Sequence, residues 1–192
     1  MRRFFALFVP LCLLFSLPAS ANGLDVKTVT CAELVQADQS TSTDDHFGAA
    51  VLLSWLAGYH ATEEQGTVVD FEALKVDVQR TVAYCKNFPK VGVFTASRKF
   101  MGENATEASS EAVDLSAVKC QRVVETAGSD DEEGLAVIMM WLAGYYASDA
   151  EDTILDQTKL EKQGYEVGKA CALNAESGLI TVADEVMHDE SE

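Results

Sequence analysis

The pentapeptide WLAGY occupies Trp55–Tyr59 and recurs at Trp141–Tyr145, 86 residues further on. A cysteine follows each copy at the same distance, since Tyr59 to Cys85 and Tyr145 to Cys171 both span 26 residues. A cysteine also precedes each, Cys31 by 24 residues before Trp55 and Cys120 by 21 before Trp141. A single three-residue indel therefore separates two copies of one unit. Each copy reads cysteine, polar spacer, apolar segment with WLAGY, acidic loop, second helix, cysteine. Chance does not keep a pentapeptide and both flanking cysteines in step, so the chain is a tandem duplication. The fold must be one that about 80 residues can build twice, a size at which a core alone is marginal.

The duplication narrows the disulfides. Four cysteines permit three connectivities, and only Cys31–Cys85 with Cys120–Cys171 gives two copies of the same unit. Each bridge closes a loop of about fifty residues, worth on the order of 4 kcal/mol in the chain-entropy model. Bridging is the expected state because the chain opens as an exported one does. Arg2 and Arg3 lead an apolar run, broken by Pro10 and Pro18, that ends in small residues at "ASA" before Asn22. That is the layout of a cleavable signal peptide over residues 1–21, and the run is short for the ~20 apolar residues a membrane span needs. Cys12 would leave with the leader. An oxidising compartment is expected.

Between the copies, "FMGENATEASSEAV" is small, polar and without helical periodicity. It reads as a spacer, which sets the expected units at 22–100 and 114–192 with a linker over 101–113. "NAT" at Asn104 matches a glycosylation sequon, a pattern too short to weigh. Elsewhere the signals are helical. Thr30 with Glu33 makes a capping box for a short helix through Ala37, and Ser129 with Glu132 makes another in the second copy. Asp44 and Asp45 precede the apolar segment from His46. "HFGAAVLLSWLAGYHA" and "EGLAVIMMWLAGYYA" are apolar nearly all round, so each predicts a buried central helix, in which Ala57 and Gly58 allow another helix to come close. Asp70 and Asp156 cap a third helix in each copy. Leu74, Val78, Val82 and Cys85 stripe the first of these, and Leu160, Tyr165, Val167 and Cys171 the second. A last short helix follows each closing cysteine, and no strand pattern is evident. The expected fold is all-α: two tandem small helical bundles, each with one disulfide.

Charge excludes some partners. Without the leader arginines the chain carries 12 basic and 31 acidic residues, and past Thr106 the balance is 5 to 20. Such a surface repels nucleic acid and anionic membranes. Catalysis lacks its parts. The three histidines, His46, His60 and His188, have no partner motif; no nucleophile elbow, zinc-binding helix or phosphate loop is present, and bridged cysteines leave no thiol. "DAEDTILD" has a calcium-loop composition without the required glycine and terminal glutamate. No enzyme, cofactor or metal is expected.

"VTCAEL", the WLAGY helix and "VAYCKNFPKVGVFTA" together resemble the HdeA/HdeB family of acid-stress chaperones from the bacterial periplasm. The likeness covers Lys27 to about Phe100 closely, and Leu115 to Met187 more loosely through "VKCQRVV", the second WLAGY and "GKACALN". It implies a single-bridged helical domain that is folded and dimeric near neutral pH. In acid such a domain loosens and holds unfolding proteins on newly exposed apolar surface, without ATP. The family's bridge positions carry over to Cys31, Cys85, Cys120 and Cys171. Elementary titration agrees: below pH ~3 the mature chain would swing from −19 to about +16, while thiolate exchange is suppressed and the bridges persist.

The leading expectation is thus a periplasmic, acid-activated holdase whose partners are unfolded client proteins. Trp55, Leu56, Tyr59, Trp141, Leu142 and Tyr145 are its candidate contact surface once opened. Tandem copies further suggest an intrachain pseudo-dimer, a homodimer being the other possibility. The competing expectation is an envelope binding module, an inhibitor, immunity or adaptor protein, whose acidic second copy meets a basic partner near neutral pH.

Overall fold

A computed structural model of the chain describes residues 23–61, 66–103, 105–110, 112–127 and 132–188, with backbone only at 132, 133 and 188. The leader, the Asn104 sequon and the Ser129 cap lie outside the described residues. The first copy runs β1 (Leu24–Asp25), α1 (Cys31–Asp38), α2 (Thr43–Tyr59), β2 (Val68–Val69), α3 (Phe71–Asn87) and α4 (Val93–Ser97). A π-helical turn, Arg98–Glu103, continues α4. The second runs β3 (Val113–Asp114), α5 (Cys120–Thr126), α6 (Glu132–Asp149), β4 (Ile154–Leu155), α7 (Gln157–Leu173) and α8 (Leu179–His188).

Local chemistry sets these boundaries. Thr30 Oγ1 accepts from the Glu33 amide while the Glu33 carboxylate accepts from the Thr30 amide, closing the expected capping box on α1. Asp70 accepts from the amides of Glu72 and Ala73 at the start of α3, and Asp156 from that of Lys159 in α7. The central helix starts earlier than expected. Ser42 is its cap, which places Asp44 and Asp45 inside the first turn, where the positive end of the helix dipole favours them. The cystines staple α1 to α3 and α5 to α7 through Cys31–Cys85 and Cys120–Cys171, 54 and 51 residues apart in sequence. Each first helix is also held by the chain that leads into the last: the Cys31 amide donates to Val91 O, and the Cys120 amide to Ser177 O.

Four two-residue strands depart from the sequence expectation, and they cross between copies. β1 pairs antiparallel with β4, Leu24 opposite Leu155, and β2 with β3, Val69 opposite Val113. A strand of two residues is too short to write an alternating pattern into the sequence. Tyr165 also departs from its expected place. Leu160, Val167 and Cys171 are buried, but Tyr165 is 50 % exposed, because a residue five places after Leu160 points well off the stripe those three share. Helical structure extends into the stretch read as a spacer, to Glu103. Beyond it Thr106 donates through its amide and hydroxyl to Asp77 (2.9 and 2.8 Å), and the Ser109 amide donates to Asp70, so the chain between the copies is tied to α3.

Candidate functional site

The central helices α2 and α6 bury themselves chiefly against each other. A helix apolar on nearly every side needs cover from more than one direction, and here the second copy's helix supplies one wall. From Val51 to Gly58 every residue of α2 is buried, as is every residue of α6 from Met139 to Gly144. The two meet at their glycines. A Cβ on Gly58 would stand 2.8 Å from the carbonyl carbon of Trp141 and closer still to its oxygen; one on Gly144 would meet Trp55 the same way. No side chain fits at either place. The backbones therefore approach as closely as glycine permits, and the contact is reciprocal about an approximate two-fold axis.

This geometry gathers all six predicted contact residues at one seam. Trp55 and Trp141 are 2 % and 4 % exposed, Leu56 and Leu142 wholly enclosed. Tyr59 stacks on Trp55 with ring centroids 5.1 Å apart, and Tyr145 on Trp141 at 5.4 Å; both tyrosines are half-buried at the ends of the run. Burial pushes the Tyr59 hydroxyl above its ordinary pKa, and Glu151 and Asp152 of the second copy push it further. Burying side chains of this size contributes roughly 1.5–3 kcal/mol each. The seam is thus the chief apolar store of the molecule.

Polar ties close the seam at both ends, again in reciprocal pairs that the sequence did not signal. The Val26 amide donates to Thr153 O (2.9 Å), and the Leu115 amide to Thr67 O (3.0 Å). Beside them Thr153 Oγ1 donates to the Asp25 carboxylate and Thr67 Oγ1 to that of Asp114, both at 3.1 Å. Asp114 is held below its ordinary pKa, first by the hydroxyl and amide of Ser116 and then by Thr67. Asp70 is lowered to about 2 by Ser109 and by the Ala73 amide.

The copies differ at the residue after each WLAGY. His60 Nε2 lies 3.1 Å from Ser97 Oγ, and that hydroxyl donates to the Phe94 carbonyl (3.0 Å). The imidazole packs edge-on to the rings of Tyr59 and Phe94. Burial lowers it to about 4, aided by the Arg98 guanidinium and opposed by the Phe94 carbonyl. In the second copy the same position is Tyr146, whose hydroxyl reaches the carbonyl of Ile180, the counterpart of Phe94. His46 is exposed near the start of α2, and the side chain of His188 lies outside the described residues.

The sequence profile of the HdeA/HdeB family matches residues 4–95 and again residues 94–181. The chain belongs to the HdeA/HdeB family. It carries the family's domain twice, and this is a family of periplasmic acid-stress chaperones rather than of enzymes. No curated protein and no solved structure gives a match. The two disulfides suit the oxidising compartment in which HdeA/HdeB proteins work. Among the described residues, no helix is long and apolar enough to cross a membrane.

Proposed function

We propose that this protein is an exported, ATP-independent holdase that acid activates by parting its two copies along the α2–α6 seam. The leader over residues 1–21 would direct it to the periplasm, and residues 22–100 and 114–192 would be the two moving units. One observation carries the reading: the main apolar surface lies between the copies, whereas both disulfides lie within them. Separation then bares Trp55, Leu56 and Tyr59 on one unit and Trp141, Leu142 and Tyr145 on the other, while neither unit can unravel.

The titrating groups act in the required direction. His60 has a folded pKa of about 4 against an ordinary 6.5. The open form therefore takes up the proton first, and stability present above pH 6.5 is lost between there and about 4, by about 3 kcal/mol at most. Asp70, lowered to about 2, and Asp114, held below its ordinary value, contribute stability that is present above the ordinary carboxylate range and lost as pH falls below it. Histidine loosens the first copy, then carboxylates release the edges. Repulsion in the cationic chain holds the parted units open and soluble.

The test follows an apolar-surface dye from pH 7 to pH 2 with the disulfides intact, alongside aggregation of an unrelated client. A rise in dye signal on acidification, with the client kept in solution, is the expected result. A flat dye trace and a seam still closed at pH 2 would sink the proposal.

A further inference from the structure

Methionine is distributed unevenly between the two copies. Four methionines follow Met1, and three of them, Met139, Met140 and Met187, lie in the second copy. The equivalent places 86 residues earlier hold Leu53, Ser54 and Met101. Together with Leu160, Gln163 and Gly164, the three thioether side chains line one small void where α7 and α8 close over α6. Its volume is about 10 Å³, the room of a single water. Gly164, the counterpart of Val78, contributes no side chain to fill it.

Each of the three keeps some contact with water, Met139 being 9 %, Met140 7 % and Met187 8 % exposed. Met187 also lies in the last turn of α8, the part of a helix that opens at least cost. Met101 is held differently. It is 4 % exposed in the Arg98–Glu103 turn, and the chain beyond that turn is tied to α3 through Thr106 and Asp77. With Cys31–Cys85 and Cys120–Cys171 bridged, no thiol among the described residues competes for an oxidant.

We propose that Met139, Met140 and Met187 form a sulfoxidation site through which a two-electron oxidant, hypochlorous acid, loosens the second copy at neutral pH. The thioether sulfur gives up two electrons and an S–O bond forms; the Cl–O bond of the oxidant breaks, and chloride and one proton leave. A strongly polar group then stands where an apolar sulfur stood. The void has room for about one such oxygen, and Gln163 brings one side-chain amide able to bond it. A second oxygen has neither, and a buried acceptor without a donor is costly. Met187 reacts first, its helix end lifts from α6, and Met139 and Met140 follow. Because α6 carries Trp141 and Leu142 on the seam, slackening its cover bares apolar surface with no proton taken up, while Cys120–Cys171 keeps the copy from unravelling. The first copy, with Leu53 and Ser54 in the equivalent places, is spared.

The test treats the mature chain at pH 7 with a few equivalents of hypochlorous acid, following each methionine by peptide mass spectrometry and apolar surface by dye. Sulfoxide should form at Met187 several-fold faster than at Met101, then at Met139 and Met140, and the dye signal should rise several-fold with both bridges intact. Met139→Leu, Met140→Leu and Met187→Leu combined nearly conserve volume and should abolish the rise, whereas Met101→Leu should leave it unchanged. If circular dichroism shows the triple variant misfolded, Met139→Leu with Met187→Leu serves instead and should at least halve the rise. The leucine variants keep His60, Asp70 and Asp114, so their opening in acid is read separately and a failure of the acid reading is distinct from a failure here. Equal rates at Met187 and Met101, sulfoxide at all three sites without a dye response, or an undiminished response in the leucine variants would each overturn the proposal.

Discussion

At the end of α2 the first copy places an imidazole against the last helix; at the end of α6 the second places a phenol. Both reach toward the same backbone carbonyl, that of Phe94 or Ile180. The two halves thus share a scaffold and differ in how they respond to protons. His60 gains a charge in acid inside a setting that opposes it, whereas burial raises Tyr146 above its ordinary pKa and it stays neutral throughout acidification. Duplication has given the position after each WLAGY a group that charges in acid in one copy and a group that does not in the other. The lesson is that identical packing does not impose identical titration.

The comparison breaks most severely at the cystines. Replacing Cys31 and Cys85 with serine, or Cys120 and Cys171, should cost on the order of 4 kcal/mol in either half, because the closed loops are nearly equal in length. Chemical denaturation of the two variants should give closely matched losses; a clear inequality would show that the halves are not equally dependent on their staples. Next come the glycines. Gly58→Ala and Gly144→Ala each drive a methyl into the opposing backbone, and each should cost about 1–3 kcal/mol or force the helices apart. Dye binding at pH 7 should rise in both variants to a similar degree, since the contact is reciprocal.

Exchange of the titrating residue sharpens the comparison. His60→Tyr removes the buried imidazole, so opening followed by tryptophan fluorescence should shift to lower pH, with up to about 3 kcal/mol of acid-side destabilisation recovered. Tyr146→His should shift opening to higher pH. The smallest effect belongs to Asp70→Asn. Its hydrogen bonds to Ser109 and Ala73 weaken at neutral pH, so amide exchange at those residues should quicken, and the loss of stability below the ordinary carboxylate range should flatten.

Local signals made the architecture readable. Cysteine spacing foretold both bridges, and Thr30, Asp70 and Asp156 marked helix starts because a cap acts on amides two or three residues away. What the sequence hid was relational. Gly58 announced a close approach without naming Trp141 as the neighbour, since a helix apolar on all sides has no stripe to orient it. The Asp25–Thr153 and Asp114–Thr67 ties pair residues far apart in the chain, and each end looks like an ordinary polar position. His60 stands in the sequence as one of three histidines without a partner motif; its burial depends on α4, which follows the closing cysteine in the chain. Repetition singled out Trp55, Leu56, Tyr59, Trp141, Leu142 and Tyr145 as candidates, but only the fold places them at one seam.

The tether from Glu103 to Val113 has a kinetic meaning. Two units joined by so short a span cannot drift apart when their contact fails; each still meets the other at an effective concentration of about millimolar. If acid parts the units as proposed, reunion after neutralisation is a first-order event, its half-time unchanged by dilution, so even scarce molecules would reset.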